Sequence, residues 1–247
     1  QGKEKVAELI SVIMARCGVW LASASTRRAK LLREYLSDSD IWFAVAPLLA
    51  EEKALGSGLE VKEQVELIAD EKAGTARIEL KWGRHLELDW QWLGAELATI
   101  AKPADYNSII IIVADTLVVD PDDPYVALGQ PEDELSAASI LLRLSGRRHA
   151  VWSATVLVSF SESTGESHED FQRAKFCSGT LVEFDELSPA ALAELLSSDK
   201  WRGKAGAYDL AGAAGKYARL IEGDELSVLG FAPEALAELT QRINARS

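Results

Sequence analysis

The hydrophobic positions of the chain switch repeatedly between two spacings. Gly18-Val19-Trp20-Leu21-Ala22 is a short apolar run closing on small residues, the pattern of a buried strand. Ser23-Ala24-Ser25-Thr26 follows, and the spacing then turns helical from Arg27 to Leu36, with Ser25 or Thr26 as the natural N-cap. A second strand fits Ile41 to Ala46. Between Leu59 and Leu80, Val61, Val65, Ile68 and Ala69 lie close to helical spacing. Ile109 to Val113 is entirely β-branched, and Leu117 to Val119 resumes the pattern after Asp115-Thr116. This reads as a strand, a polar interruption and a second short strand.

Pro121-Asp122-Asp123-Pro124 is a turn by composition, and Glu132 to Leu144 is a helix ending at Gly146. Val151 to Phe160 and Lys175 to Phe184 read as an antiparallel pair of long strands, with a polar loop over Ser161–Glu169. Ser188-Pro189 caps and opens a helix to Leu196. Four glycines (203, 206, 212 and 215) punctuate a mobile or tightly turned segment, and Pro233 to Ile243 closes the pattern as a helix. Gln1 to Arg16 reads as a helix of mixed charged and apolar residues. No repeat, low-complexity tract or linker divides the chain, so residues 1–247 are expected to form one domain.

Composition narrows the function. Of 247 residues, 48% are hydrophobic, enough for a sizeable core. The net charge of −13 argues against binding a nucleic acid polymer or an anionic membrane, both of which reward clustered Lys and Arg. It does not exclude a nucleotide, because a few local cations and a metal hold a triphosphate inside an acidic protein. The apolar run Ile109–Val113 is too short to span a bilayer, and a cytoplasmic location is the default expectation. Cys17 and Cys177 form no CxxC motif and are expected to be free thiols. His85, His149 and His168 show no ligand spacing and are expected to be structural or solvent-facing.

Two places carry candidate chemistry. A strand, a loop of small residues and a helix start converge at Ser23–Arg28, and such a unit points backbone N–H groups at one spot. Arg27 and Arg28 add cations at the helix end where the dipole disfavours them. Either a phosphate answers them, or the segment is a surface helix with a basic start. Asp115 closes an apolar run, where clefts of α/β sheets open; it holds a divalent cation, acts as a base, or merely caps a turn. Glu51-Glu52-Lys53 and Lys72 are unremarkable alone. No Walker loop, dinucleotide fingerprint or Ser/His/Asp set is present.

Leu21-Ala22-Ser23-Ala24-Ser25-Thr26-Arg27-Arg28 resembles the N-terminal signature of the Maf family of nucleoside triphosphate pyrophosphatases. Further motifs follow in that family's order: Glu51-Glu52, Glu71-Lys72-Ala73, Ala114-Asp115-Thr116, Leu128-Gly129-Gln130-Pro131 and Leu144-Ser145-Gly146-Arg147-Arg148-His149. Lys204-Ala205-Gly206-Ala207-Tyr208, Ile221-Glu222-Gly223-Asp224 and Val228-Leu229-Gly230 complete the series. The resemblance implies an α/β fold, a mixed twisted sheet flanked by helices with two lobes around a deep cleft. It implies hydrolysis of a nucleoside triphosphate to the monophosphate and pyrophosphate. Ser23, Ser25, Arg27, Arg28, Thr116 and Gln130 would bind the substrate. Glu52 and Asp115 would hold Mg²⁺ or Mn²⁺, Asp115 would also orient or deprotonate water, and Lys72 would neutralise phosphate charge. A homodimer is implied as well. Against that family, residues 1–16 are a helical extension and 81–107 a Trp-rich insertion, with Trp82, Trp90 and Trp92 covering an apolar face or an oligomer contact.

Two positions depart from the family. Gln130 stands where a lysine is usual, and losing such a charge-assisted contact costs roughly 1.5–3 kcal/mol. Ala211 replaces a glutamine three residues after Tyr208. Lys204 and Lys216 are the nearby cations able to compensate. The spacing of the arginines and the Ala-Asp-Thr form resemble the dTTP/UTP branch. Two other readings remain: a catalytically weakened nucleotide-binding regulator of septation, and a purine-type enzyme that clears deaminated nucleotides.

Overall fold

The computed structural model describes residues 17–50, 58–94, 102–103, 109–161 and 170–246. Strand β1 spans Gly18–Leu21, helix α1 Thr26–Tyr35, β2 Ile41–Val45, α2 Val61–Lys81 and β3 Gln91–Leu93. Then come β4 Ile109–Asp120, β5 Asp123–Leu128, α3 Glu134–Leu144, β6 Arg148–Ser161 and β7 Asp170–Phe184. Helix α4 spans Pro189–Ser197, followed by β8 Ala218–Glu222, α5 Glu225–Leu229 and α6 Pro233–Asn244. All eight strands join one sheet in the order β3-β2-β1-β4-β6-β7-β8, with β5 also paired to β4. It is mixed: β2 and β4 run parallel to β1, and the other pairings are antiparallel.

Strand β4 explains where a cleft opens. One edge pairs with β6 without a break from Ile110 to Val118. The other edge pairs with β1 only over Ile109–Ile112 and with β5 only from Val118. Between those stretches β1 turns away into α1, so the ladder forks beside Ala114, Asp115 and Thr116. Ligand crevices of α/β sheets lie at such switch points, outside the carboxyl ends of parallel strands.

Alternation along β4 builds a core on both faces of the sheet. Ile109, Ile111 and Val113 pack with Val65, Ala69, Ala73, Ala76 and Leu80 of α2. Those helix residues recur every three or four positions, so one stripe of α2 is buried. Ile110, Ile112 and Ala114 point the other way, onto Leu32 of α1 and Leu236, Leu239 and Ile243 of α6. A third cluster, centred on Val118, Leu141, Val182 and Phe184, fills the second lobe with α3, α4 and two short 3₁₀ turns. Gly206, in one of those turns, has φ +72°, and a Cβ there would lie 2.8 Å from Val118. Only glycine lets this segment approach the sheet so closely.

Several expectations change. Asp115-Thr116 does not interrupt the chain: β4 is one strand, because pairing with β6 satisfies the backbone while the two side chains leave on opposite faces, Asp115 toward Lys72 of α2 and Thr116 toward Arg28 of α1. The turn is Pro121-Asp122 alone, closing a β4–β5 hairpin at the Asp120↔Asp123 pair, and β5 carried no sequence signal of its own. Strands β6 and β7 run further than their apolar stretches, since pairing from Arg148↔Glu183 to Ser161↔Asp170 carries polar residues along. Helix α3 starts at Glu134 because Asp133 accepts from the Ser136 N–H at 2.7 Å. Trp90 and Trp92 cover an apolar face, that of the core beneath α2, and Trp82 does not join them. Trp90 is buried, Trp92 packs edge-on against Trp42 at 5.5 Å, and Trp82 is 83% exposed. The expected helix over 1–16, much of the 81–107 insertion, the loop at 162–169 and His168 lie outside the described residues.

Cys17 and Cys177 are free thiols, as expected. His85 and His149 are buried. His149 Nε2 lies 2.9 Å from the Tyr208 hydroxyl, and burial pushes its pKa down to about 4. The unfolded chain protonates this ring near pH 6.5, the folded one only near 4. Its contribution to stability is therefore complete above about pH 6.5, falls as pH drops, and is lost below about 4. The difference amounts to roughly 3 kcal/mol. His149→Gln is expected to flatten stability across that window relative to the wild type. Denaturant unfolding of both proteins at pH 7 and pH 4.5 checks this, and a constant offset between them would exonerate His149.

Candidate active site

At the fork in the sheet lies a concavity of about 740 Å³. Ser23, Ser25 and Arg28 line one wall, Glu71 and Lys72 of α2 a second, Asp115 the floor and Gln130 the rim of the second lobe. The first wall follows from local sequence. The Ser25 hydroxyl caps α1 by accepting from the Arg28 N–H at 3.4 Å, and the Ser23 hydroxyl accepts from the Ser25 N–H at 3.1 Å. Small residues let the chain turn sharply from β1 into α1, with the helix N-terminus at the concavity.

Lys72 Nζ donates to Asp115 Oδ1 at 2.7 Å, and both side chains are mostly buried. Arg28 crosses from the opposite side. Its Nε donates to the Gly230 carbonyl at 2.9 Å and its Nη2 to Thr116 Oγ1 at 2.8 Å. Gly230 ends α5 at φ +117°, and a Cβ on it would stand 2.7 Å from Arg28 Nε, so a larger residue would displace the guanidinium. Arg28 thus faces the Lys72–Asp115 ion pair across a space of nucleotide size. Such an arrangement can receive an anion while keeping a carboxylate beside it.

Arg27 has a different environment. It pairs with Asp209 at 3.5 Å and lines a second concavity of about 810 Å³ with Lys204 and Ala211. Burial holds the Arg27 guanidinium below its usual range, partly offset by Asp209. Burial, then the neighbouring Arg27, does the same to Lys204, which stands 3.9 Å from Asp209. Lys216 is bonded to Glu194 on the surface of the second lobe.

A match to the family described as Maf-like protein extends over residues 18–243. The chain belongs to that family. Three relatives are each named dTTP/UTP pyrophosphatase. The chain is 30% identical to the protein of Bacillus velezensis over 211 residues, which are 85% of this chain and 88% of that one. It is 32% identical to the protein of Granulibacter bethesdensis over 137 residues, and 35% identical to that of Zymomonas mobilis over 121. Those two alignments span only 59% and 54% of the relatives' lengths, and 56% and 49% of this chain.

In this Maf-like chain four of the motifs scattered along the sequence converge. Ser23, Ser25, Arg28, Lys72, Asp115 and Gln130 line the same concavity, and Thr116 stands behind it as an acceptor for Arg28. Arg27 does not join them. Glu52 lies outside the described residues, although Pro47, Leu48 and Ala50 line the concavity and the buried Glu79 accepts from the Leu49 N–H at 2.6 Å. Sequence reasoning passed over Ser153 and Gly230, which hold Arg28 directly or through Thr116. Only their places in motifs or strands marked them.

Proposed function

We propose that this chain hydrolyses a nucleoside triphosphate, dTTP or UTP in the first instance, to the monophosphate and pyrophosphate. The observation that carries the reading is the Lys72–Asp115 pair, set opposite Arg28 in one cleft. The names of the relatives agree with it. Arg28 and the amide groups at the start of α1 hold phosphate oxygens, and Lys72 offsets charge that develops on them. Asp115 aligns a water and takes its proton as the water oxygen bonds to phosphorus. The P–O bond between the α and β phosphates breaks, and pyrophosphate leaves.

A divalent cation belongs to the reading. Among the described residues no group of three His, Cys, Asp or Glu side chains is arranged to hold a metal. Mg²⁺ needs only one or two carboxylates when phosphates and waters supply its other oxygens, so the Asp115 donor set fits, with Glu52 as the second proposed carboxylate. When bound, the cation neutralises and orients the phosphates. The reading includes a homodimer. No described helix is long and apolar enough to cross a membrane.

The test is pyrophosphate release from a panel of nucleoside triphosphates with Mg²⁺ or Mn²⁺ and a chelator control. Chelator-sensitive release together with monophosphate supports the enzyme. A folded protein that binds nucleotides without turnover favours the septation regulator, a reading that rests on the uncharged Gln130 at the rim. Gln130→Lys is expected to preserve turnover or raise it up to about tenfold, since it restores a charge-assisted contact worth roughly 1.5 kcal/mol. A large fall in kcat/KM would move Gln130 out of the phosphate site.

A further inference from the structure

Arg28 is held in place by a line of hydroxyls that ends on a main-chain carbonyl. Thr116 of β4 and Ser153 of β6 are direct cross-strand partners, and their hydroxyl oxygens lie 2.7 Å apart. Ser153 is completely buried, and its hydroxyl donates to the Ser227 carbonyl at 2.6 Å. A hydroxyl has a single proton, so with that proton on the Ser227 carbonyl Ser153 is the acceptor toward Thr116. Thr116 then donates to Ser153 and turns a lone pair toward Arg28 Nη2, 2.8 Å away. The direction of every bond in the line follows from its last member. Ser227 belongs to α5 and Gly230 ends it, so the same short helix fixes Arg28 twice: through the Gly230 carbonyl on Nε and through the hydroxyl line on Nη2.

We infer that Ser153 is a positioning residue, whose hydroxyl, by donating to the Ser227 carbonyl, makes Thr116 an acceptor and so holds the Arg28 guanidinium toward the phosphate chain of the ligand. Without it the Thr116 hydroxyl loses its acceptor and turns, its proton competes with that of Arg28, and the guanidinium loses its bond to Thr116. The inference rests on the phosphate-binding role given to Arg28 above and goes beyond it, since Ser153 touches no ligand itself.

The experiment is a double-mutant cycle read by the binding of inorganic tripolyphosphate, with thermal unfolding measured alongside. Tripolyphosphate has no base and yields no nucleoside monophosphate, so its binding reports on Arg28 whether or not the chain turns over nucleotides. Ser153→Ala is expected to weaken binding about tenfold in the wild-type background and less than twofold in an Arg28→Ala background, because coupled residues are not additive. Thr116→Val interrupts the same line and is expected to give the same pattern, with no further loss when combined with Ser153→Ala. It serves as the reading variant if Ser153→Ala does not fold. A merely structural role for Ser153 would lower the unfolding temperature and weaken binding equally in both backgrounds, which overturns the inference. Unchanged binding in Ser153→Ala, or a wild type that does not bind tripolyphosphate, overturns it as well. A wild type that binds tripolyphosphate but hydrolyses no nucleotide leaves Ser153 in place and removes the proposed function instead.

Discussion

Asp115→Asn is expected to lower kcat for pyrophosphate release by about a thousandfold, within the range of 10²- to 10⁴-fold typical for loss of a general base. The substitution keeps the size and the strand but removes the charge facing Lys72 Nζ at 2.7 Å. An amide neither takes a proton from water nor draws a divalent cation as a carboxylate does. Folding is expected to survive, because the β4 backbone is satisfied by β6 through Val118 whatever side chain stands at this position. Loss of the charge-assisted bond from Lys72 costs about 1–3 kcal/mol of stability. Pyrophosphate release at saturating nucleotide and metal, with a thermal melt of the same sample, checks both halves. A rate within tenfold of the wild type would take Asp115 out of the reaction.

Arg28→Ala is expected to reduce kcat/KM for triphosphate about a hundredfold, which corresponds to roughly 3 kcal/mol. That is the upper range for a charge-assisted bond lost from a site where the donor was already oriented. Binding of the monophosphate product is expected to change less than threefold, because the lost contacts belong to the outer phosphates. Arg27→Ala is expected to cost less, although the two arginines are adjacent in sequence. The Arg27 charge is answered by Asp209 at 3.5 Å, and the residue lines the other concavity. Initial rates and nucleotide titrations on both variants separate the two. Equal losses would mean that Arg27 leaves Asp209 and turns into the cleft when substrate binds.

The difference between these arginines shows how far sequence reaches. That a loop of small residues enters a helix beginning Arg27-Arg28 is plain from the residues, and Ser25 caps that helix as its side chain and position suggest. Which arginine faces the cleft depends on Gly230 and Asp209. Gly230 lies 202 residues from Arg28, and its carbonyl is available only because α5 ends there. Ser153 was equally invisible: a serine inside an apolar strand carries no signal until the register sets it opposite Thr116. The single strand β4, read as two pieces from its polar middle, went astray for a related reason. Composition reports which side chains are polar, whereas continuity of a strand depends on whether a neighbour satisfies its backbone.

Local order and chemical type were therefore determined by the sequence itself. Apolar patterning gave the main strands and helices. A helix packed on one side, such as α2, buries one stripe, while a strand covered on both faces, as β4 is over residues 109–114, is apolar throughout that stretch. The order of short motifs pointed to a nucleotide site, which the acidic balance of the chain does not exclude. The tertiary structure decided which of those motif residues meet. The fork beside Asp115 exists because β1 leaves β4 at Ile112 while β6 continues to Val118. Arg28, Lys72 and Asp115 converge there from α1, α2 and β4, and the hydroxyls that orient Arg28 come from strands paired across the sheet. Contacts of this kind join residues tens to hundreds of positions apart, and they follow from register and packing, which no local pattern encodes.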